Sequence, residues 1–299
     1  MSAPDSPAID DAESTPSRRD DLVTLTKAKL SALVVITAGG GFLSAWPPGQ
    51  PFAWDRFLHT LFGTTLAAFG AAVFNQLLEI EADRKMRRTS ERPLPAGRMP
   101  PVAAFGLGWL LCAFGIVHLG IKANTWAAFF AGATIAVYLF AYTPMKRTTR
   151  FNTHVGAVSG ALPPVIGWVA AGGGLTWGAV WWFALLFFWQ RPHFFAINWM
   201  VRDEYRSAGF QMLANDDERG ERTSRACLVY VIPLGMLAIW APMISLSPWW
   251  TAVPLLLAAG YLLWLALGFV RSKAKSDARK LFFGTLLYLP VAMIFVLVG

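Results

Sequence analysis

Apolar residues run along this chain in long blocks, not in the alternating or amphipathic patterns of a soluble domain. Nine blocks reach or approach spanning length, at residues 30–46, 57–78, 102–121, 125–142, 155–171, 175–195, 226–245, 249–270 and 281–298; about 20 consecutive apolar residues of helix cross a hydrocarbon core. The pattern predicts an all-α, polytopic membrane bundle of nine transmembrane helices around an inner cavity open to the cytoplasmic side. Gly39, Gly40 and Gly41 in the first block allow either a close helix approach or a break. Pro163 and Pro164 interrupt the fifth block, a break tolerated at membrane depth where neighbouring groups or a lined cavity satisfy the freed carbonyls. The third and fourth blocks are joined by residues 122–124 alone, which makes them antiparallel neighbours.

The polar positions cluster at the block ends. Residues 75–98, NQLLEIEADRKMRRTSERPLPAGR, join two apolar blocks and are densely charged. Asn75, Glu79 and Asp83 recur at four-residue intervals, so a helix continuing to Asp83 projects them from one face with only about 40° of drift per step. Two carboxylates and an amide oxygen then point the same way, the hard donors that Mg2+ takes together with substrate phosphates. Arg84, Lys85, Arg87 and Arg88 follow at once as phosphate-pairing donors. Lys146, Arg147 and Arg150 occupy the second loop on the same side. A third polar group lies near the end of the sixth block, where Gln190, Arg191, His193 and Asn198 precede Arg202, Asp203, Glu204 and Tyr205. Polar groups at that depth are expensive, which points to function. His193 and Asp203 share a helical face if Pro192 opens a new helical segment or marks a kink. Asp216, Asp217, Glu218 and Glu221 read as solvated charge.

Composition agrees with a membrane protein. In 299 residues, 55% are hydrophobic, with 14 Trp and 22 Phe, and the mean hydropathy is +0.45. Of the 26 Lys+Arg, all but Arg56 and Lys122 fall on the side of the N-terminus, which predicts a cytoplasmic N-terminus and an external C-terminus. The formal charge of +8 is then a consequence of topology and carries no nucleic-acid inference. Cys112 and Cys227 lie in or beside apolar blocks without CxxC spacing and read as buried fillers. Residues 1–24 read as a disordered cytoplasmic tail, and residues 25–299 as a single transmembrane domain. The tail has no apolar core of a signal peptide, and Asp5, Asp10, Asp11, Glu13 and Asp20 argue against a mitochondrial presequence, so a bacterial inner membrane is expected.

The NxxxExxxD pattern followed by RTSERPLPAGR, taken with WQRPHFFAINW and RDEYRSAG, resembles the UbiA-type membrane prenyltransferases. LTKAKL and YTPMKRTTRFNTHVGAVSGALPPVIGW narrow the resemblance to members that farnesylate heme, and the matched stretches run from Leu25 to Gly209. The resemblance implies transfer of a farnesyl group from farnesyl diphosphate to the vinyl group of heme B with addition of water, giving heme O. It implies Mg2+ held by Asn75, Glu79, Asp83 and Asp203, and a catalytic set of Asn75, Glu79, Asp83, Asp203, Tyr205 and His193. Arg84, Lys85, Arg87, Arg88, Lys146, Arg147 and Arg202 are implied to hold the diphosphate. Glu79 stands where many members have Asp, and only Asp203 represents the second motif's two aspartates. Three roles are open for His193: ligating heme iron, assisting hydration, or hydrogen-bonding a helix end. His59, His118 and His154 have comparable or weaker claims to the iron. The implied partners are farnesyl diphosphate, heme B, the lipid bilayer and a downstream heme A synthase. Two other functions fit the pattern: a UbiA-type enzyme acting on a quinone or chlorophyll precursor, and an ion-coupled transporter using the acid cluster.

Overall fold

The computed structural model describes residues 16–299, and the first 15 residues of the expected tail lie outside the described residues. The rest of that tail carries a helix. Ser17 caps α1 (Arg18–Leu25) in a reciprocal box with Asp20, and Arg98 grips Asp21 at 2.8 Å. Then follow α2 (Ala28–Ala45), α3 (Trp54–Leu78), α4 (Ile80–Arg84), α5 (Pro101–Lys122) and α6 (Thr125–Ala136). A π-helical turn, Val137–Tyr142, joins α6 to α7 (Thr143–Met145). The chain continues through α8 (Asn152–Ala161), α9 (Pro163–Ala170), α10 (Trp177–Met200), α11 (Arg202–Ser207), α12 (Glu221–Met243), α13 (Ala252–Ser272) and α14 (Lys275–Val298). No strand occurs among the described residues.

Among the described residues seven helical rods are long and apolar enough to cross a membrane: α2, α3, α5, the rod from α6 through α7, α12, α13 and α14. The protein is therefore a multi-pass membrane protein. The other two predicted crossings fall on the α8–α9 pair and on α10, where Gln190, Arg191, His193 and Asn198 dilute the apolar character. Large apolar side chains such as Phe105, Leu110, Phe140, Leu257 and Leu287 stand exposed on the outer faces, as lipid contact requires.

Helix α2 packs against α3 and α9, α3 against α5, and α10 against α8, α12 and α14; α14 also meets α2, which closes the bundle. Lipid tails are as apolar as the helix faces, so close approach over small residues takes the place of hydrophobic driving force. At the α2–α9 crossing a Cβ on Gly167 would lie 1.7 Å from the Ala38 carbonyl oxygen, and one on Gly41 would lie 2.0 Å from that of Pro164. The glycine run is thus a packing notch in a continuous helix, which decides between the two readings its sequence allowed. Gly63 and Gly70 of α3 meet Gly115 and Gly108 of α5 in the same manner.

Pro163 and Pro164 open α9, where a missing N–H removes no helical bond, and Leu162 keeps helical angles, so the break is a kink. Pro192 lies inside α10, which runs unbroken through it. Indole N–H groups tie α10 to its neighbours: Trp181 donates to the Leu237 carbonyl at 2.9 Å and Trp189 to that of Thr285 at 2.6 Å.

Candidate active site

The group formed by Asn75, Glu79 and Asp83 survives a change in helix geometry. Helix α3 ends at Leu78, and Glu79 takes φ −108° and ψ 10° before α4 begins. The expected uninterrupted helix is broken there. The four-residue bonds nevertheless continue across the break, from Glu79 N–H to the Asn75 carbonyl at 3.1 Å and from Asp83 N–H to the Glu79 carbonyl at 2.8 Å. All three side chains are buried, with exposures of 0%, 5% and 1%.

Each acceptor meets one basic side chain from a different segment. Lys27 Nζ donates to Asn75 Oδ1 at 2.5 Å, Lys146 Nζ to Glu79 Oε1 at 2.7 Å, and Arg92 Nη1 to Asp83 Oδ2 at 2.8 Å. Asn75 Nδ2 donates to the Thr143 hydroxyl at 3.2 Å, which fixes the amide so that its oxygen faces Lys27. Burial opposes the charge on Glu79, but Lys146 and Lys27 together hold its carboxyl below the usual carboxylate range. Burial likewise opposes the charge on Lys146, and Tyr142, Glu79 and Tyr138 more than offset it, raising the ammonium above its ordinary value. Lys27 goes the other way: burial lowers it to about 7, with Glu79 opposing and Arg92 adding to the depression. Two carboxylates facing three basic groups make a pocket of hard oxygen donors with cationic groups to spare.

The π-helical turn contributes the wall. Tyr138 and Tyr142 stack at 5.7 Å, and Lys146 Nζ lies 4.6 Å from the Tyr142 ring centroid and 5.7 Å from that of Phe210. Such wider turns occur mainly where function re-aims side chains. Loop 208–212 closes over this region: Gln211 N–H donates to the Lys146 carbonyl at 2.6 Å, and Ala208, Phe210 and Met212 pack on Ala82 and Met86. The loops after α3 and after α10 therefore meet, and Arg88 reaches the Tyr205 hydroxyl at 3.3 Å.

Other expected site residues lie apart. Asp203 is 71% exposed at its side chain and sits 3.6 Å from Lys275; no group of three His, Cys, Asp or Glu suited to a metal forms among the described residues. The cause is local: Val201, at φ −116° and ψ 25°, ends α10 and re-aims α11. Arg202 stacks on Trp199 at 4.4 Å, Arg84 pairs with Glu81 at 2.8 Å, and Lys85, Arg87 and Arg147 are exposed. His193 Nδ1 lies 2.9 Å from the Thr285 hydroxyl and its ring stacks on Phe282, so it is engaged with α14. His59 and His118 pair with each other at 3.2 Å, and His154 Nε2 lies 2.9 Å from the Tyr230 hydroxyl.

Lys27 and Arg92 were not marked as site residues by sequence reasoning. A lysine opening an apolar block reads as an ordinary anchor, and Arg92 lies nine positions beyond Asp83 in an irregular loop. A further expectation follows from the Lys146–Glu79 pair. Lys146→Met leaves Glu79 buried without its ion-pair partner and is expected to cost about 3–5 kcal/mol of stability. Adding Glu79→Gln should restore most of that loss, as read by thermal denaturation of the purified variants; equal destabilisation of the single and double variants would refute the coupling.

The chain belongs to the UbiA prenyltransferase family, whose pattern matches residues 33–287. Within it, the chain is 40% identical over 276 residues to the protoheme IX farnesyltransferase of Opitutus terrae, covering 91% of this chain and 92% of that protein. It is 38% identical to the protoheme IX farnesyltransferase of Solibacter usitatus, covering 91% and 95% of the two chains. A UbiA homolog from Archaeoglobus fulgidus, solved bound to DMAPP and Mg2+, shares the fold with a TM-score of 0.67 at 13% identity, covering 92% of this chain and 99% of that one.

Proposed function

We propose that the chain transfers the farnesyl group of farnesyl diphosphate to a vinyl group of heme B with addition of water, releasing diphosphate and giving heme O. The acceptor is supported by the identity, 40% and 38%, to proteins named protoheme IX farnesyltransferase over nearly their whole length. The diphosphate half rests on one observation of this structure: three buried oxygen donors on one face, Asn75, Glu79 and Asp83, each met by a basic side chain.

That donor set fits Mg2+, which binds through one or two carboxylates together with substrate phosphates. When bound, the ion neutralises charge that develops on the departing diphosphate. Asn75, Glu79 and Asp83 would hold it. Lys27, beside the Asn75 amide, and Lys146 and Arg92, beside the two carboxylates, would hold the anionic oxygens of the leaving group. The faces of Tyr138 and Tyr142 lie beside Lys146 and stabilise positive charge on the allylic carbon as the C–O bond breaks. Attack by the vinyl group leaves a cation next to the tetrapyrrole ring, and water adds there with loss of a proton. Loop 208–212 excludes bulk water that would otherwise quench the allylic cation first.

Orientation belongs to the same reading. The Lys and Arg distribution supports a cytoplasmic N-terminus and an external C-terminus in a bacterial inner membrane, with the diphosphate site on the cytoplasmic side.

Product mass analysis tests the reaction: purified protein in detergent with heme B, farnesyl diphosphate and Mg2+. Heme O is expected only when protein, both substrates and metal are all present. Clean prenylation of a quinone precursor with no heme product would keep the diphosphate site and overturn the acceptor.

A further inference from the structure

Arg191 is a buried cation without an anion. It lies within α10, nine residues before the helix ends at Met200, and is 3% exposed. Among the described residues it makes no ion pair and no hydrogen bond, and its Nε is buried without a partner. The helices packed along α10 bring it no acid, and the acids of α11 and of residues 213–216 belong to segments beyond its C-terminal end. α2, α8 and α9 have none, and the acids of α12 and α14 sit in the first turns: Glu221 lies 3.9 Å from Arg225 and Asp277 2.8 Å from Lys280.

The surroundings do compensate its faces. The guanidinium lies 3.5 Å from the Phe187 ring centroid and 4.3 Å from that of Tyr230. Two aromatic faces satisfy the plane of the cation and leave the N–H donors at its edge free, in the fork that matches a carboxylate. Beside it, His154 lies 2.9 Å from the Tyr230 hydroxyl through Nε2, and its Nδ1 is buried without a partner. Unsatisfied donors, a cation and an imidazole thus gather at one place inside the bundle of a membrane protein, where such groups mark a ligand.

We propose that Arg191, held between Phe187 and Tyr230 beside His154, binds a carboxylate of the tetrapyrrole acceptor. This rests on the heme reading above. Heme B carries its two carboxylates on one edge of the macrocycle and its vinyl groups on the other, so an anchor for the first edge determines where the second lies. Helix α8 stands between this anchor and the diphosphate group. His154 on α8 faces Tyr230, while Gly156 on the same helix lets the Tyr142 ring approach so closely that a Cβ would sit 2.7 Å from it. Arg191 is then a specificity residue for the acceptor, remote from the prenyl donor.

The test compares heme B with its dimethyl ester, whose side arms are uncharged, by Soret titration of the full chain in detergent. Wild type is expected to bind heme B about 30-fold more tightly than the ester, the scale of a charge-assisted bidentate contact. Arg191→Gln should bring heme B down to the ester's affinity, leave the ester within about threefold, and leave the KM for farnesyl diphosphate unchanged. Arg191→Lys, which keeps the charge without the fork, should recover part of the difference. Equal weakening of heme B and ester by Arg191→Gln would make the residue a packing element and overturn the proposal, as would wild type binding both alike. Should Arg191→Gln not fold, the heme-to-ester ratio in wild type and Arg191→Lys decides: an unchanged ratio overturns the proposal. Failure of the heme reading looks different, because wild type itself would then neither bind heme B nor convert it.

Discussion

Asp83→Ala is expected to lower the rate of farnesyl transfer about a thousandfold, roughly 4 kcal/mol of transition-state stabilisation. Asp83 is 1% exposed, and its carboxylate lies on the same face as Glu79 and Asn75. Removing it takes one of two carboxylates from the proposed Mg2+ site and leaves Arg92 without its partner at 2.8 Å. The loss should fall on the chemical step: single-turnover rate drops, while the Soret titration with heme B stays within twofold of wild type. The fold is expected to survive, because the Arg92 side chain is 22% exposed and can turn to water, and because the Asp83 backbone carbonyl still accepts from the Thr89 hydroxyl at 2.9 Å. Asp83→Asn, which keeps the volume and loses the charge, should fall nearly as far. Rates within tenfold of wild type for both variants would reduce Asp83 to a loop anchor and sink the metal assignment.

The second large effect is on stability. Gly167→Ala is expected to destabilise the bundle by about 3 kcal/mol or more, beyond the usual range for adding one methyl group. The added Cβ would meet the Ala38 carbonyl oxygen at 1.7 Å and the Phe42 amide nitrogen at 2.9 Å. These are backbone atoms of another helix, and no rotamer change relieves the clash. α2 must move away from α9, and with it Lys27, which opens α2 and holds Asn75. Thermal denaturation in detergent should show a midpoint lower by about 5–10 °C. Gly235→Ala on α12 is the control, since its Cβ would meet nothing within 4 Å. A Gly167→Ala midpoint equal to that of the control would show that the α2–α9 contact is looser than the structure has it.

Much of this was legible in the chain because the relevant physics is local. A bilayer demands long apolar blocks, and these fall on the helices of the bundle, including the rods at α3, α5 and α13. The NxxxExxxD spacing also survived, since four-residue hydrogen bonding persists through the break at Glu79. The chain says less where a side chain's surroundings depend on what another segment brings to it. Asp203 and His193 look like members of the site when only their helix is considered. A single non-helical residue, Val201, turns the first toward Lys275, and α14 engages the second through Thr285.

The sequence alone determined the helical class, the membrane environment and the face shared by Asn75, Glu79 and Asp83, because hydrophobic length and helical period act within a few turns of one segment. Only the tertiary structure decided which cations meet those acceptors, that Gly41 and Gly167 join two helices, and that Arg191 is buried without an anion. Lys27, Lys146 and Arg92 come from segments up to 119 positions apart, as 146 minus 27 gives. Their meeting is set by how the helices pack, and no periodicity along a single helix encodes it.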